Sequence, residues 1–336
     1  MFSGAFWINK PKELTSSDVV VRLKIALTKG GYCERGFKIG HGGTLDPFAT
    51  GALVILVGEA TKLADCYLHS IKSYGGLIQL GTRTDSADLT GEVVESSPIP
   101  ALNSVEWQKF ADTFVGEEYW QTPPMHSAKK HQGKNLYELA RQGIEVERKA
   151  ILKKIDAFAV KPLRAREVQA EPDLLEFSVT CESGTYVRVI AEDLAKKAGT
   201  VAHLKTLIRT RSSDVTLEKC SSLEEVQAQL AEQKPISEIS SFHPLKEVAT
   251  HLPSVTVTET EAKELLQGYK RMVELIVSRF TSGAQSKNDA NLTFPGKWNS
   301  KIQKYFIARI PNGAPVALFE RTETGYRLQR VILWQP

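Results

Sequence analysis

The stretch "GHGGTLDPFATGALVILV" (residues 40–57) sets four glycines, a histidine, an aspartate and a proline ahead of an uninterrupted apolar run. The run 52–57 is too short, between its glycine boundaries, to be a helix, and it reads as a buried strand. Glycines before Asp46 let the backbone turn where a Cβ would clash, and Pro47 confines Asp46 to extended conformations. A turn of this kind projects a carboxylate from a rigid scaffold, which suits a nucleophile or a general base. The same residues also suit an Asx-turn, in which the carboxylate satisfies nearby backbone N–H groups. The stretch by itself leaves both readings open.

Working outward, "TSSDVVVRLKIALTKGG" (15–31) has the spacing of an amphipathic helix, with Val19, Leu23, Ala26 and Leu27 on one face, Ser16 as the expected N-cap and Gly30-Gly31 as its end. Helices are also expected at 61–70, 104–115 and 136–143, and strands at 74–80, 151–161 and 174–181. Pro123 and Pro124 exclude helix from the loop 121–135. A glycine turn then feeds a helix within 182–199. Composition shifts at 226–251, read as a linker between a domain at 1–225 and a second at 252–336. Thr258 and Glu261 have the spacing of a capping box before a helix that Gly268 stops. Residues 282–301 read as a polar insertion, and strands at 305–310, 315–320 and 326–333 close the chain. The class is α/β of the α+β type, with a small β-rich domain at the C-terminus.

An apolar fraction of 42% and a charged fraction of 24% are ordinary for a globular protein. No window of 18 apolar residues predicts a membrane helix, no signal peptide is read at the start, and the cytoplasm is the expected compartment. The four cysteines lie far apart without C-x-x-C spacing, and no histidine pairing predicts a metal site. No G-x-G-x-x-G or P-loop motif is present. Net charge is +4, yet residues 120–220 alone hold 18 Lys and Arg against 13 Asp and Glu. Basic clusters at 129–134, 147–154 and 204–211 suit a polyanion such as RNA, or simply a solvated face.

Five ordered blocks resemble the TruB family of tRNA pseudouridine synthases. They are "INKPKELTSSDVV" (8–20), "GHGGTLDPFATGALVILVGEATKL" (40–63), "KSYGGLIQLGTRTDSADLTGEVVE" (72–95), "QTPPMHSAKKHQGKNLYELARQGIEVER" (121–148), and "SGTYVRVIAEDLA" (183–195) with "AHLKTLIRTRS" (202–212). One departure is Gly42, where the family usually has Thr or Ser. The resemblance implies a pseudouridine synthase fold around a mostly antiparallel central sheet, followed by a PUA-like RNA-binding domain at 252–336. It also implies isomerisation of the T-loop uridine at tRNA position 55, with the base flipped out of the RNA stack to reach the site.

By motif, Asp46 matches the family's catalytic aspartate, Tyr74 the tyrosine that packs on the target base, and Arg188 the basic partner of the aspartate. His41, Asp88, Tyr186 and Leu207 match residues near the flipped nucleotide, and Lys129 and Lys130 are expected to meet phosphates. The reaction is redox-neutral, so neither cofactor nor metal is expected. The expected partner is the T arm of tRNA, bound by a monomer with no obligatory protein partner. Other readings are an enzyme guided by a separate RNA, a synthase acting on another RNA, a binding or tRNA-folding protein, and a hydrolase using Asp46 with water.

Overall fold

Thr15, not Ser16, caps the first helix. In the computed structural model, which describes residues 2–125, 127, 130–131, 133–136, 139, 142–144, 146–163, 173–286, 291–293 and 304–333, strand β1 (Gly4–Lys10) leads to helix α1 (Ser16–Lys29). The Asp18 N–H donates to Thr15 Oγ1 at 3.0 Å and the Thr15 N–H donates to Asp18 Oδ2 at 2.8 Å, a reciprocal capping box. A cap at Ser16 would have placed Val19 third, where no carboxylate could answer it. Val19, Leu23 and Leu27 are buried, and Gly30 closes the helix.

The hairpin strands β2 (Ile39–His41) and β3 (Thr50–Val57) flank the Asp46 turn. After a 3₁₀ turn and the short helix α2 (Ala64–Leu68) come β4 (Lys72–Leu80), α3 (Ser104–Asp112), β5 (Gly116–Gln121), β6 (Ile151–Pro162), β7 (Leu174–Cys181), α4 (Val187–Lys197) and β8 (Ala202–Ser212). Helix α5 (Leu223–Ala231) follows. The C-terminal part holds β9 (Ser254–Thr256), α6 (Glu259–Leu266), α7 (Lys270–Ser286), β10 (Leu292–Thr293), β11 (Tyr305–Arg309), β12 (Pro315–Thr322) and β13 (Gly325–Val331). Thr258 and Glu261 form the capping box expected of α6. Residues 282–286, expected in a polar insertion, instead finish α7, and β10 adds a strand antiparallel to β9.

The chain divides into two compact units, one of residues 1–44, 52–68 and 213–336, the other of residues 45–51 and 69–212. In the second, neighbouring strands run β8-β4-β7-β6-β5, every pair antiparallel. Thr50 and Gly51 add a short parallel contact to Ile208 and Arg209 of β8. Trp107 and Ala111 of α3 and Ile190 and Leu194 of α4 close over Ile78, Ile155 and Phe177 of the sheet in one core.

In the first unit β1 lies beside β3, with α1 and α5 packed through Val19, Leu23, Val226 and Leu230 onto Phe6, Ile8, Leu53 and Ile55. The C-terminal strands order as β10-β9-β11-β12-β13, and α6 and α7 cover them through Leu265, Ile276 and Phe280. Ile307, Leu318 and Ile332 of this region share a buried cluster with Ala5, Val54 and Leu56. Residues 242–244, within the expected linker, pair antiparallel with β1. Among the described residues no helix is long and apolar enough to cross a membrane.

Candidate active site

Asp46 stands in the turn that precedes β3, and the Ala49 N–H donates to its carbonyl at 3.1 Å, closing the turn. Its carboxylate is not consumed as a turn cap alone. Arg188 Nε approaches Asp46 Oδ2 at 3.0 Å, and the Asp46 side chain keeps 36% of its surface exposed while that of Arg188 keeps 5%. A nearly buried guanidinium is thus aimed at a carboxylate that solvent, or a substrate, can still reach. Arg188 sits in the first turn of α4, and its Nη1 donates to the Ser86 carbonyl at 2.8 Å and approaches Asp88 Oδ2 at 3.4 Å. Asp88 is itself buried. Its Oδ1 accepts from Ser86 Oγ at 2.8 Å, Thr90 N at 2.9 Å and Thr90 Oγ1 at 2.5 Å. Asp88 therefore anchors the guanidinium from behind rather than facing outward, and it holds the 84–90 loop against α4.

Tyr74 lies on β4 with Arg209 of β8 and Val179 of β7 as its cross-strand neighbours. Burial pushes its phenol above the usual value, opposed by the Arg209 guanidinium, which is also hydrogen-bonded to it. Arg209 belongs to the basic cluster at 204–211, whose sequence suits either a polyanion-binding face or a solvated one, yet it is 1% exposed and fits neither. Alternation along β8 puts Leu207 and Arg209 on the same buried face, while register shifts on either side of them keep simple alternation from singling out Arg209 among the cations of the strand. Leu207 is buried opposite Gly76. Gly51 makes the neighbouring close approach: its φ is +113°, and a Cβ there would run into the Arg209 backbone. The glycine boundary of the Asp46 turn thus lets the turn's exit lie directly against the strand that carries Arg209.

Lys72 opens the block at 72–95, but sequence reading assigns it no role. It is buried at the start of β4, donates from Nζ to the Ser70 carbonyl at 2.8 Å, and faces Cys181 across the sheet. Burial, helped by Arg209, lowers its amine to about 7. The folded value lies below the unfolded one, so between pH 7 and about 10 the unfolded chain binds the extra proton and folding strengthens as pH rises. Urea unfolding of wild type and Lys72→Met at pH 7, 8 and 9 will show wild type gaining on the variant by about 1 kcal/mol over the first step and about 1.3 kcal/mol over the second. A difference that stays flat with pH would show that Lys72 is charged in the fold.

Tyr186 is the N-cap residue of α4, and both of its backbone groups are bonded to the side chain of Gln121. His41 belongs to the other compact unit, where it ends β2 and its Nδ1 accepts from the Gly43 N–H at 3.4 Å. Beside it, the Gly42 N–H donates to the Val54 carbonyl at 2.8 Å, and a Cβ at 42 would overlap Cβ of the buried Tyr67. The Tyr67 hydroxyl in turn accepts from the Ala249 N–H at 2.9 Å. In this chain, therefore, Gly42 leaves the room that the Tyr67 side chain occupies. Lys129 lies outside the described residues. Lys130 is described only as backbone, in a two-residue strand with His131. The structure thus brings Asp46, Tyr74, Asp88, Tyr186, Arg188 and Leu207 into one compact unit, and adds Arg209, Lys72 and Gln121 around them.

Residues 30–187 match the model of the TruB family pseudouridylate synthase N-terminal domain. A protein named tRNA pseudouridine synthase B from Hydrogenovibrio crunogenus is 36% identical over 319 residues, covering 93% of this chain and 95% of that one. Its namesake in Bacillus subtilis is 37% identical over 84% of this chain and 88% of its own length. The namesake in Psychrobacter cryohalolentis is 40% identical over 69% of this chain, a match spanning 62% of the relative. Among solved structures, one of a Cbf5-Nop10-Gar1 complex superposes with a TM-score of 0.66 at 20% identity, over 98% of this chain and 85% of that one. That likeness shows the fold.

Proposed function

Because the chain belongs to the TruB family of pseudouridylate synthases, we propose that it isomerises uridine to pseudouridine in tRNA, at the T-loop uridine of position 55. The observation that carries this reading is the Arg188–Asp46 pair at 3.0 Å, a half-open carboxylate held by a buried cation in the same compact unit as Tyr74. An adjacent guanidinium favours the ionised carboxylate and fixes its direction. Asp46 assists detachment of the base by attack on the sugar or on the uracil ring, and the bond it forms breaks again before product leaves, returning the free carboxylate. The N1–C1′ bond breaks, the freed uracil turns, C5 bonds to C1′, and the C5 proton leaves as N1 gains one. Atoms and electrons balance within the nucleotide, so the chemistry calls for neither hydride nor hydrolytic water.

Tyr74, with its raised phenol, is neutral at pH 7 and packs on the flipped base. The proton count closes through Tyr74 if the phenol gives its proton to N1 and, as a phenolate held by the hydrogen-bonded Arg209 guanidinium, takes the one that leaves C5. Leu207 and Tyr186 line the uracil pocket, and Asp88 acts through Arg188. From the family resemblance, His41, Lys129 and Lys130 contact the RNA, the T arm is the part of tRNA that is bound, and residues 252–336 act as a PUA-like RNA-binding region after a catalytic region at 1–225. The protein works as a monomer in the cytoplasm with no protein partner.

Purified protein mixed with an unmodified tRNA transcript, with no guide RNA and no added metal, will convert the T-loop uridine, read by position-resolved pseudouridine mapping. Conversion that required an added guide RNA, or that fell at other uridines, would overturn the proposal.

A further inference from the structure

We infer that Gln121 is a positioning residue whose buried side-chain amide holds both backbone groups of Tyr186 and thereby sets where Arg188 meets Asp46. The inference rests on the function proposed above. Gln121 ends β5 and is 2% exposed, too deep to touch RNA. Its Oε1 accepts from the Tyr186 N–H at 2.7 Å, and its Nε2 donates to the Tyr186 carbonyl at 3.0 Å. One side chain thus treats Tyr186 as a neighbouring strand residue would, pairing its donor and its acceptor together.

Tyr186 needs that grip. It is the N-cap of α4 at φ −90° and ψ 103°, and its own side chain makes no capping bond. Its carbonyl already accepts from Val189 and Ile190 at 3.1 and 3.2 Å, so the first turn of α4 hangs from this residue. Arg188 lies in that turn, two residues on. A second contact acts in parallel. Gln121 Nε2 also donates to the Tyr119 hydroxyl at 3.1 Å, and that hydroxyl donates to Asp193 Oδ2 at 2.6 Å, further along α4. Tyr119 and Gln121 are two apart on β5 and so share a face. The strand therefore holds the helix at two points. Released from the first, α4 stays docked through Asp193 and its buried Ile190 and Leu194, while the turn carrying Arg188 loses its fixed origin.

A buried amide could also be simple glue, which would lower stability and leave the chemistry of folded molecules unchanged. Three measurements on the full-length protein separate the two roles: steady-state kinetics with an unmodified tRNA transcript, tRNA affinity by filter binding, and amide hydrogen exchange. Gln121→Met keeps the length and removes every bond. Its kcat should fall by about 10- to 100-fold, the size expected of a misplaced catalytic group. Its KM and its Kd for tRNA should stay within about twofold of wild type, the signature of an interaction used in the chemical step. Amides 186–190 should exchange faster while those of β4 and β7 do not change.

Gln121→Glu is the conservative check. A protonated carboxyl regains one donor and one acceptor, whereas an ionised one turns a negative oxygen toward the Tyr186 carbonyl. The ratio of its kcat to that of wild type should therefore climb as pH falls from about 8 to about 6, because burial raises a carboxyl into that range. The ionisable groups around the cluster are Tyr119 of β5, Asp193 of α4, the latter acted on by Lys196 and Lys197, and Glu192 of α4, which acts on Tyr119 and whose carboxyl burial pushes up to about 7. They are present in both proteins, so the ratio removes them. An unchanged kcat in Gln121→Met, whatever its melting temperature, overturns the inference, as does a weakened tRNA affinity with kcat intact. Should wild type itself make no pseudouridine, the functional reading falls instead, and the exchange of amides 186–190 alone decides whether Gln121 positions the turn.

Discussion

Asp46→Asn will abolish pseudouridine formation, lowering kcat by about 10⁴-fold or more, the size of loss seen when a nucleophile is removed from a constellation that acts as a unit. The substitution keeps shape and volume and takes away only the charge and the ability to form or assist a covalent intermediate. Structure should survive it. Arg188 retains the Ser86 carbonyl at 2.8 Å and the buried carboxylate of Asp88, so its guanidinium is not stranded. The Asp46 side chain is 36% exposed, and an ion pair that open to solvent contributes no more than about 1 kcal/mol. Binding of tRNA should change by less than about threefold, because the substitution removes no cation that could meet a phosphate. The measurement is single-turnover pseudouridine formation on a tRNA transcript beside a binding isotherm for the same variant. Residual conversion within about tenfold of wild type would remove Asp46 from the chemistry and return its turn to a purely architectural role.

Substitution of Arg188 should damage both activity and stability. Its side chain is 5% exposed and makes three contacts at once, to Asp46 at 3.0 Å, to the Ser86 carbonyl at 2.8 Å and to Asp88 at 3.4 Å. Arg188→Met leaves Asp88 buried without its cation, and breaking a buried pair from one side typically costs about 3–5 kcal/mol. The hydrogen bonds from Ser86 and Thr90 to Asp88 Oδ1 place the outcome at the lower end of that range. Arg188→Lys separates charge from geometry. It keeps a cation, but a single ammonium cannot reach the Asp46 carboxylate from one nitrogen while tying the 84–90 loop from another. Equilibrium urea unfolding should show Lys intermediate between Arg and Met. The kcat of Arg188→Lys should fall by about 10²-fold or more, comparable to loss of a preorganised electrostatic contact. Full activity in Arg188→Lys would mean that positive charge alone suffices and that the fork geometry around Asp46 is incidental.

Much of this site was visible in the chain because its signals are local. The glycine- and proline-bounded turn at Asp46, the buried strand after it and the helix carrying Arg188 are each set by residues within a few positions of one another. The capping box at Thr258 and Glu261 was legible for the same reason. The error at Ser16 shows how fine that reading is. Thr15 and Ser16 are both good caps, and only the carboxylate of Asp18, three residues beyond Thr15, decides between them. Residues 282–286 misled for a related reason: their polarity suggested a loop, yet they extend the helix that Ile276 and Phe280 anchor in the core.

What the chain could not show alone is where its cations go. Lysines and arginines at 204–211 look alike in sequence, yet Lys205 stays half-buried while Arg209 is enclosed against Tyr74. Lys72 looks like a surface lysine at a strand edge and is instead a desolvated amine. Gln121 is an unremarked polar residue before two prolines until the backbone of Tyr186 arrives beside it. Local sequence determined the turns, periods and caps, because backbone conformation and alternation answer to neighbours along the chain. The tertiary structure decided which charges are buried, which are paired and which are left open, because desolvation and pairing depend on strands and helices brought together from distant parts of the chain.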